Sequence, residues 1–539
     1  MFPRKRSSPL VISARSDLHI GAFTDEGPWD VDPASMAWRK DVDALRDAAS
    51  ARVPDLVRGR RMPPVRSARV ALRLAASVAP WALRRRRGAA AKQELAGLAG
   101  RLRPAFERLG TTFIKLGQLI GSADGMLPEA LVSEFKQCRD RVPPEPFSHV
   151  RKVIEADFGR PIAELFAEFD PTPLAAASIA QVHAARLHTG EEVVVKVQRP
   201  KIDRIVPRDI ATMAWLAPHI EKRARFAVLA NLGAYIELFT ETIVEELDFR
   251  LEAQNMLDVA AVLAMTEPRS VVVPRPHPEL VSRRVLVMER LHGHRTDDEA
   301  ALLAAGIDPA PVFRALMVSF LEGAMIHGVF HGDLHGGNMM VSPGGRPAIF
   351  DFGITGRFTD TKRLALLGLM ITMTIQDGVA MLGHLRDLGG LPPGADVAAL
   401  AEELQLDELL SMDPNDLSPE ALGLQMRETM HRLVLHGAKL PKEMFLYMKG
   451  MVYLNGAIST VAADVDMFEE MGHLYDLFTT THTDVLAGFV DVNDLPEQDV
   501  LTDFLRRQTG VQGDAATYQE LQEAQAERSA TVRQAFKST

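Results

Sequence analysis

The spacing of apolar and polar residues changes several times along this chain, and each change predicts a different element. From about residue 93 to 150 apolar residues recur at helical intervals, and the run ends at the breaker "VPPEP". Apolar and β-branched residues then crowd into "SIAQVHAARL" and "VVVKVQRP", two strands separated by the turn "HTGEE". The stretch "YIELFTETIVEELDFRLEAQNM" returns to the helical period and predicts one long helix, and "RRVLVMERLHG" reads as a further strand pair. Beyond residue 310 the pattern is helical, except for one hairpin, "NMMVSPGGRPAIFDFG", turned at Pro343-Gly344-Gly345. The apolar run "LALLGLMITMTIQDGVAML" is interrupted by Gln376 and Asp377, which predicts a buried helix rather than a membrane span. No window of about 18 residues is both strongly apolar and free of charge, so no spanning helix is expected.

These transitions divide the chain into a loosely ordered leader (1–57), a basic amphipathic segment (58–92) and a helical extension (93–150). A strand-bearing lobe (151–292), a helical lobe (293–480) and a helical tail (481–539) follow. The basic segment holds ten arginines and no acid between Arg58 and Arg87. Arg66, Arg69 and Arg73 recur at helical spacing, and Val70, Leu72, Leu74, Val78, Trp81 and Leu83 supply apolar surface. Such a helix can lie on an anionic bilayer or serve as a domain-docking arm, and both readings stay open here.

Composition narrows the classes. With 47% hydrophobic and 24% charged residues among 539, the chain is that of a folded protein. A net charge of −10 offers no ground for wrapping nucleic acid. The single cysteine, Cys138, excludes an internal disulfide and a cysteine-cluster metal site, and fits a reducing compartment. The apolar run at the N-terminus is too short for a signal peptide.

The chemistry concentrates in "FHGDLHGGN" and the hairpin after it. Phosphoryl transfer needs a positioned γ-phosphate, divalent metal to neutralise its charge and an oriented acceptor. Asp333 suits the acceptor role, while Asn338, five residues on, and Asp351 of Asp-Phe-Gly suit metal. The ordered set H-x-D-x4-N, hairpin, D-F-G is far more specific than any one of its parts. Upstream, Lys196 sits mid-strand among valines, where an unpaired ammonium would be costly. Its partner is expected in "EELDF", where Glu245 and Glu246 lie about 100° apart on a helix and only one can face it. Where a kinase has a glycine lid this chain reads "PLAAASIAQVH", so the lid is expected to be alanine-built and stiffer.

Taken together, "KLGQ" (115–118), "AAASIAQVH" (175–183), "VVVKVQRP" (193–200), "EELDF" (245–249), "HGDLHGGN" (331–338) and "DFG" (351–353) resemble the UbiB (AarF) family of atypical kinases. The order and spacing hold over roughly residues 95 to 480. The resemblance implies an α+β, bilobal protein-kinase-like fold with an N-terminal helical K-x-G-Q extension packed over the active cleft. It implies ATP or ADP with Mg2+ as cofactors, and an isoprenoid or quinone-like lipid as partner. It places the chain in the cytoplasm, peripheral on the inner face of the membrane. Asp333, Lys115 and Gln118 would then be catalytic, and Asn338 and Asp351 would hold metal. Nucleotide contacts would come from Leu174, Ala175, Ala176, Ala177, Ser178, Ile179, Ala180, Gln181 and Val182, and from Lys196, Glu246, Asp248, Glu289 and Leu291. Glu246 would be the partner of Lys196. A glycine replaces the usual proline of the family's H-P-G-N stretch. The alternatives are a small-molecule phosphotransferase of the aminoglycoside or choline kinase type and a nucleotide-gated lipid-binding pseudoenzyme. No oligomeric state is implied.

Overall fold

The computed structural model describes residues 29, 31–58, 63–85, 91–123, 127–138, 142–222, 232–265, 270–411, 428–429, 432–461 and 467–483, with isolated positions 500, 506, 517, 519, 520 and 523. Its helices before the sheet are α1 (Val42–Val57), α2 (Pro64–Arg85), α3 (Ala91–Leu109), α4 (Thr111–Gly121), α5 (Glu129–Phe135), α6 (Phe147–Phe158) and α7 (Ile162–Leu165). Between strands run α8 (Ile202–Glu221), α9 (Leu232–Glu245) and α10 (Phe249–Leu263). The later helices are α11 (Glu299–Ala304), α12 (Pro309–Leu321), α13 (Asp360–Ile375), α14 (Gly378–Asp387), α15 (Val397–Leu404), α16 (Leu406–Ser411), α17 (Lys442–Val461) and α18 (Met467–Thr481).

The two β-branched runs form the neighbouring strands β2 (Ala180–Arg186) and β3 (Glu192–Gln198), and a strand the sequence reading did not expect, β1 (Glu168–Ala176), precedes them. With β4 (Pro276–Val281) and β5 (Val285–Glu289) they form one sheet in the order β1-β2-β3-β5-β4. All of its pairings are antiparallel. Because successive strand residues point to opposite faces, Val193, Val195 and Val197 pack with Val150, Val153 and Ile154 of α6. Lys196 is therefore turned to the other face.

The helical part carries the short strands β6 (His294–Arg295), β7 (Val329–His331), β8 (Met339–Val341), β9 (Pro347–Ile349) and β10 (Thr355–Arg357). The hairpin expected at Pro343-Gly344-Gly345 is the β8–β9 pair, with Met339 opposite Ile349. Strand β7 pairs antiparallel with β10, Thr355 opposite His331, so the 332–338 loop and the Asp-Phe-Gly segment adjoin the same small ribbon. Helix α12 starts on the Asp308 cap with Pro309 in its first turn and continues as a π-helical turn, Glu322–His327.

Three expectations need correction. The leader residues 1–28 and 30 lie outside the described residues, but its second half is ordered. Met36, Trp38 and Val42 are buried in the main core, Arg39 donates to Gln254 at 2.8 Å, and Arg46 donates to Asn255 at 2.9 Å. The single helix expected over "YIELFTETIVEELDFRLEAQNM" is two helices. Asp248 adopts an extended conformation (φ −139°, ψ 104°) and caps α10, its carboxylate accepting from the Arg250 N–H. The apolar run at 364–382 also divides, into α13 and α14. Gln376 sits in the left-handed region (φ 64°) and Asp377 caps α14. Nor is that run wholly buried, since Met370, Met373, Ile375 and Val379 are 39 to 55% exposed.

Among the described residues one helix, Pro309–His327, is long and apolar enough to cross a membrane, and 72% of that window is buried inside the fold. Helix α2 packs on α8 with Ser67 and Val70 inward. Arg66 is spent on the fold: Nε donates to buried Asp209 at 2.6 Å and Nη2 to the Leu109 carbonyl at 2.8 Å. Arg69, Arg73 and Leu72 face outward, and side chains 82–94 lie outside the described residues. The tail expected at 481–539 is described only at 481–483 and six isolated positions.

Candidate active site

Lys196 Nζ lies 2.6 Å from Glu252 Oε1 and 2.8 Å from Asp351 Oδ1, joining the sheet, α10 and the Asp-Phe-Gly segment. Neither acid at 245–246 is its partner. Glu246 instead lies 2.9 Å from Lys115 Nζ on α4, and Glu245 lies 2.6 Å from Lys442 Nζ on α17. The break at Asp248 is the reason, because the restarted helix brings Glu252 in line with Lys196. Asp248 itself is bound bidentately by Arg250 (2.9 and 2.7 Å) and serves as a helix cap, not as an acid of this cluster.

The Asp351 and Asp333 segments are tied together by His331. Its Nε2–H donates to the Asp351 carbonyl at 3.0 Å, while Nδ1 accepts the Asp333 N–H at 3.1 Å. Burial pushes this imidazole down to about 4, so near neutral pH the ring is uncharged and can do both. Asn338 Nδ2 donates to the Asp333 carbonyl at 3.0 Å, which leaves Oδ1 directed away from that carbonyl. Asp351 has a left-handed backbone (φ 65°), a conformation that a short polar side chain tolerates. His335, for which the sequence suggests no role, closes the loop by accepting the Gly337 N–H on Nδ1 at 3.0 Å. A Cβ on Gly336 would lie 2.7 Å from Asp297 Oδ2, so this loop has no room for a side chain there.

Three lysines, Lys115, Lys196 and Lys449, face four acids, Glu246, Glu252, Asp333 and Asp351. Burial disfavours the charged form of Asp333, yet Lys449 and Lys115 hold its carboxyl well below the usual carboxylate range. Burial likewise opposes Asp351, and Lys196 with Lys115 still bring it down to about 2. Burial works against the Lys196 ammonium, but Asp351 and Glu252 carry it above the lysine range. Glu252 shares that lysine and is the more deeply buried; desolvation outweighs Lys196 and raises it to about 7.

The K-x-G-Q glycine has a packing cause. A Cβ on Gly117 would lie 2.9 Å from Cys138 Sγ and 3.0 Å from the Phe135 ring, and one on Gly121 would lie 2.8 Å from the Phe135 carbonyl. Helix α4 therefore presses its glycine side on α5. Lys115, two residues and about 200° away, points elsewhere, toward Glu246 with Asp333 and Asp351 in its field. Gln118, half-buried, is one turn on. Tyr235 Oη donates to the Leu119 carbonyl at 2.8 Å and ties α4 to α9.

The alanine loop is clamped. Ala177 N–H donates to the Ala180 carbonyl at 2.9 Å, and Ser178, Ile179, Ala180 and Gln181 are buried. Leu174 and Ala175 are exposed, whereas Ala176 and Val182 are half-buried. Arg199, which the sequence reading passed over, donates to the Ala177 carbonyl (2.9 Å), the Pro143 carbonyl (3.0 Å) and Glu145 (3.2 Å). The Gln181 side chain accepts the Glu145 N–H. At the far end of the sheet Glu289 Oε2 accepts the Arg275 N–H at 3.2 Å, and Leu291 is half-buried just beyond it. Two more residues went unnoticed, Glu252 and Lys449, and neither belongs to a local motif.

Among the described residues no three His, Cys, Asp or Glu side chains gather as a metal-ligand set. The oxygen donors Asp351 and Asn338 nonetheless fit magnesium, which takes one or two protein oxygens and completes its shell with phosphate and water.

Residues 137–384 match the ABC1 atypical kinase-like domain. An uncharacterized protein of Mycobacterium tuberculosis is 37% identical over 377 residues, 68% of this chain and 75% of its own. The probable protein kinase UbiB of Marinobacter nauticus is 31% identical over 379 residues, 68% of each chain. An aarF domain-containing protein kinase of Arabidopsis thaliana chloroplasts is 30% identical over 393 residues, 68% of this chain and 73% of its own. The solved complex of Rv3197 with erythromycin, from Mycobacterium tuberculosis, matches at a TM-score of 0.41 and 23% identity, over 64% of this chain and 87% of that one. On the family match and these relatives, the chain belongs to the UbiB/AarF (ABC1) family of atypical kinases.

Proposed function

We propose that the protein binds ATP or ADP with magnesium at the Lys196–Asp351 junction and works as an ATP-dependent phosphotransferase or ATPase. Its acceptor would be an isoprenoid or quinone-like lipid at a membrane surface. The observation that carries the reading is the contact of Lys196 with Asp351 at 2.8 Å, which joins a phosphate-facing ammonium to a metal-facing carboxylate. Magnesium, held by Asp351 and Asn338, would neutralise phosphate charge. Lys196 would bind the phosphates beneath the clamped alanine loop. Asp333 would orient the acceptor hydroxyl: its oxygen forms a bond to the γ-phosphorus as the bond to the ADP oxygen breaks, and its proton passes to the Asp333 carboxylate or to water.

The position of Lys115 beside Glu246 supports an acceptor side covered by α4, with no room for a polypeptide. The lipid class rests on the family resemblance alone. A nucleotide-gated lipid-binding scaffold is the second reading, favoured by the lysines that occupy both aspartates.

The test is ATP turnover with magnesium or chelator, with and without anionic vesicles and a quinone-precursor mimic, in wild type and Asp351→Asn. Magnesium-dependent turnover that Asp351→Asn abolishes supports the enzyme. Binding without turnover supports the scaffold. Turnover unchanged in a folded Asp351→Asn protein, or robust phosphorylation of generic proteins, overturns the proposal.

A further inference from the structure

In phosphoryl transfer the transferred group carries its negative charge on three equatorial oxygens, and a cation on the acceptor side that stabilises this charge lowers the barrier. The catalytic loop supplies none: between Asp333 and Asn338 it reads Leu-His-Gly-Gly. His335 does not fill the gap, since its ring closes the loop turn. A lysine nevertheless stands there, delivered from 116 residues downstream: Lys449 of α17 donates to Asp333 Oδ1.

Helix α17 is built to hold that position. Phe445, Leu446 and Tyr447 are buried, and Tyr447 stacks on Phe320 at 5.7 Å. A Cβ on Gly450 would lie 2.4 Å from the Phe320 ring, so this glycine lets α17 close on α12. Leu446 packs against the catalytic loop itself, 3.1 Å from where a Gly332 Cβ would be. Lys442 and Glu443 pin the first turn to Glu245 and Lys362. The helix is thus fixed on three sides, and Lys449, one turn beyond Leu446, reaches the loop with a side chain still 15% exposed. The other two lysines of the cluster are committed elsewhere, Lys196 at Asp351 and Lys115 at Glu246.

We propose that Lys449 is the acceptor-side cation of the transferred phosphoryl group. In the state described it rests on Asp333. With ATP bound it moves to a γ-phosphate oxygen and frees Asp333 for the acceptor hydroxyl. A compact charge on a flexible four-carbon stem suits such a handover. The inference rests on the nucleotide reading above and adds to it a residue from outside the matched kinase-like domain, which ends at residue 384.

Binding of ATP and ADP with magnesium to the full-length chain tests it by calorimetry, using Lys449→Met, Lys449→Gln, Lys449→Arg and, as a control, Lys196→Met. Loss of a charge partner for the γ-phosphate should weaken ATP binding at least about tenfold while ADP binding stays within about twofold. Lys449→Arg should recover most of the loss, and Lys196→Met should weaken both nucleotides. If the methionine variant does not fold, the glutamine variant gives the same readout. Equal losses for ATP and ADP, or no loss, overturn the assignment while leaving the nucleotide site in place. A wild type that binds neither nucleotide overturns the reading beneath it.

Discussion

Lys196 should be energetically coupled to Glu252 and not to Glu246, and a pair of double-mutant cycles measures the difference. The attraction can be sized from the geometry. Unit charges 2.6 Å apart, at an effective dielectric of about 20, attract by about 6 kcal/mol. Both side chains are nearly dry, 9% and 2% exposed, so desolvation of several kcal/mol per ion offsets most of that gain. Asp351, 2.8 Å from the same ammonium, takes part of the remainder. The expected coupling is then about 2 kcal/mol, within the range for residues in contact. Single variants are a poor guide, because Glu252→Gln relieves the desolvation it exposes and can come out near neutral. The cycle of Lys196→Met with Glu252→Gln removes that ambiguity. Urea unfolding followed by circular dichroism supplies the four free energies, measured near pH 8 where Glu252, raised to about 7, is ionised. Near pH 6 the Glu252 coupling should shrink as this carboxyl takes up its proton. The parallel cycle with Glu246→Gln should stay within about 0.5 kcal/mol, the usual limit for uncoupled sites. A Glu246 coupling equal to or above that of Glu252 would refute the assignment and restore the partner read from the sequence.

Three further outcomes follow from particular contacts. Arg199→Ala removes charge-assisted hydrogen bonds to Ala177, Pro143 and Glu145. It should destabilise the fold by about 2 kcal/mol and speed nucleotide release in stopped flow; unchanged release would mean the alanine loop is held by packing alone. His331, lowered to about 4 by burial, takes up its proton less readily folded than unfolded. Its contribution to stability is therefore present above the unfolded value of about 6.5 and is lost as pH falls toward 4, about 2 kcal/mol by pH 5. Denaturant unfolding of wild type against His331→Asn should show the gap closing over that interval, and a constant gap would refute a neutral buried ring. Binding to anionic vesicles, if it runs through residues 58–87, should weaken with salt and with Arg69→Ala. Arg66→Ala, whose guanidinium is committed to Asp209, should lower the melting temperature and leave vesicle binding unchanged; the reverse pattern would place the membrane contact on the inward face.

What the sequence determined by itself is which residues on short spans of chain come together. Asp333, Asn338 and Asp351 are legible because a five-residue loop and one hairpin leave the chain few ways to return. Lys196 is legible because strand alternation sets its face once the valines choose theirs. The alanine loop and K-x-G-Q are read by pattern, and only the packing of Gly117 on Phe135 and Cys138 explains the glycine. Tertiary structure alone decided which acid meets which lysine. One extended residue, Asp248, breaks an apparently continuous helix, and Glu252, 56 residues from Lys196, takes the place that the family resemblance gave to Glu246. Lys449 pairs with Asp333 across 116 residues through the docking of α17. A leader poor in apolar pattern is ordered at α1 because Trp38 and Val42 find a core made by other elements. Periodicity records which face of an element is apolar, but the partner of a buried charge depends on how whole elements pack, and no local stretch of sequence contains that information.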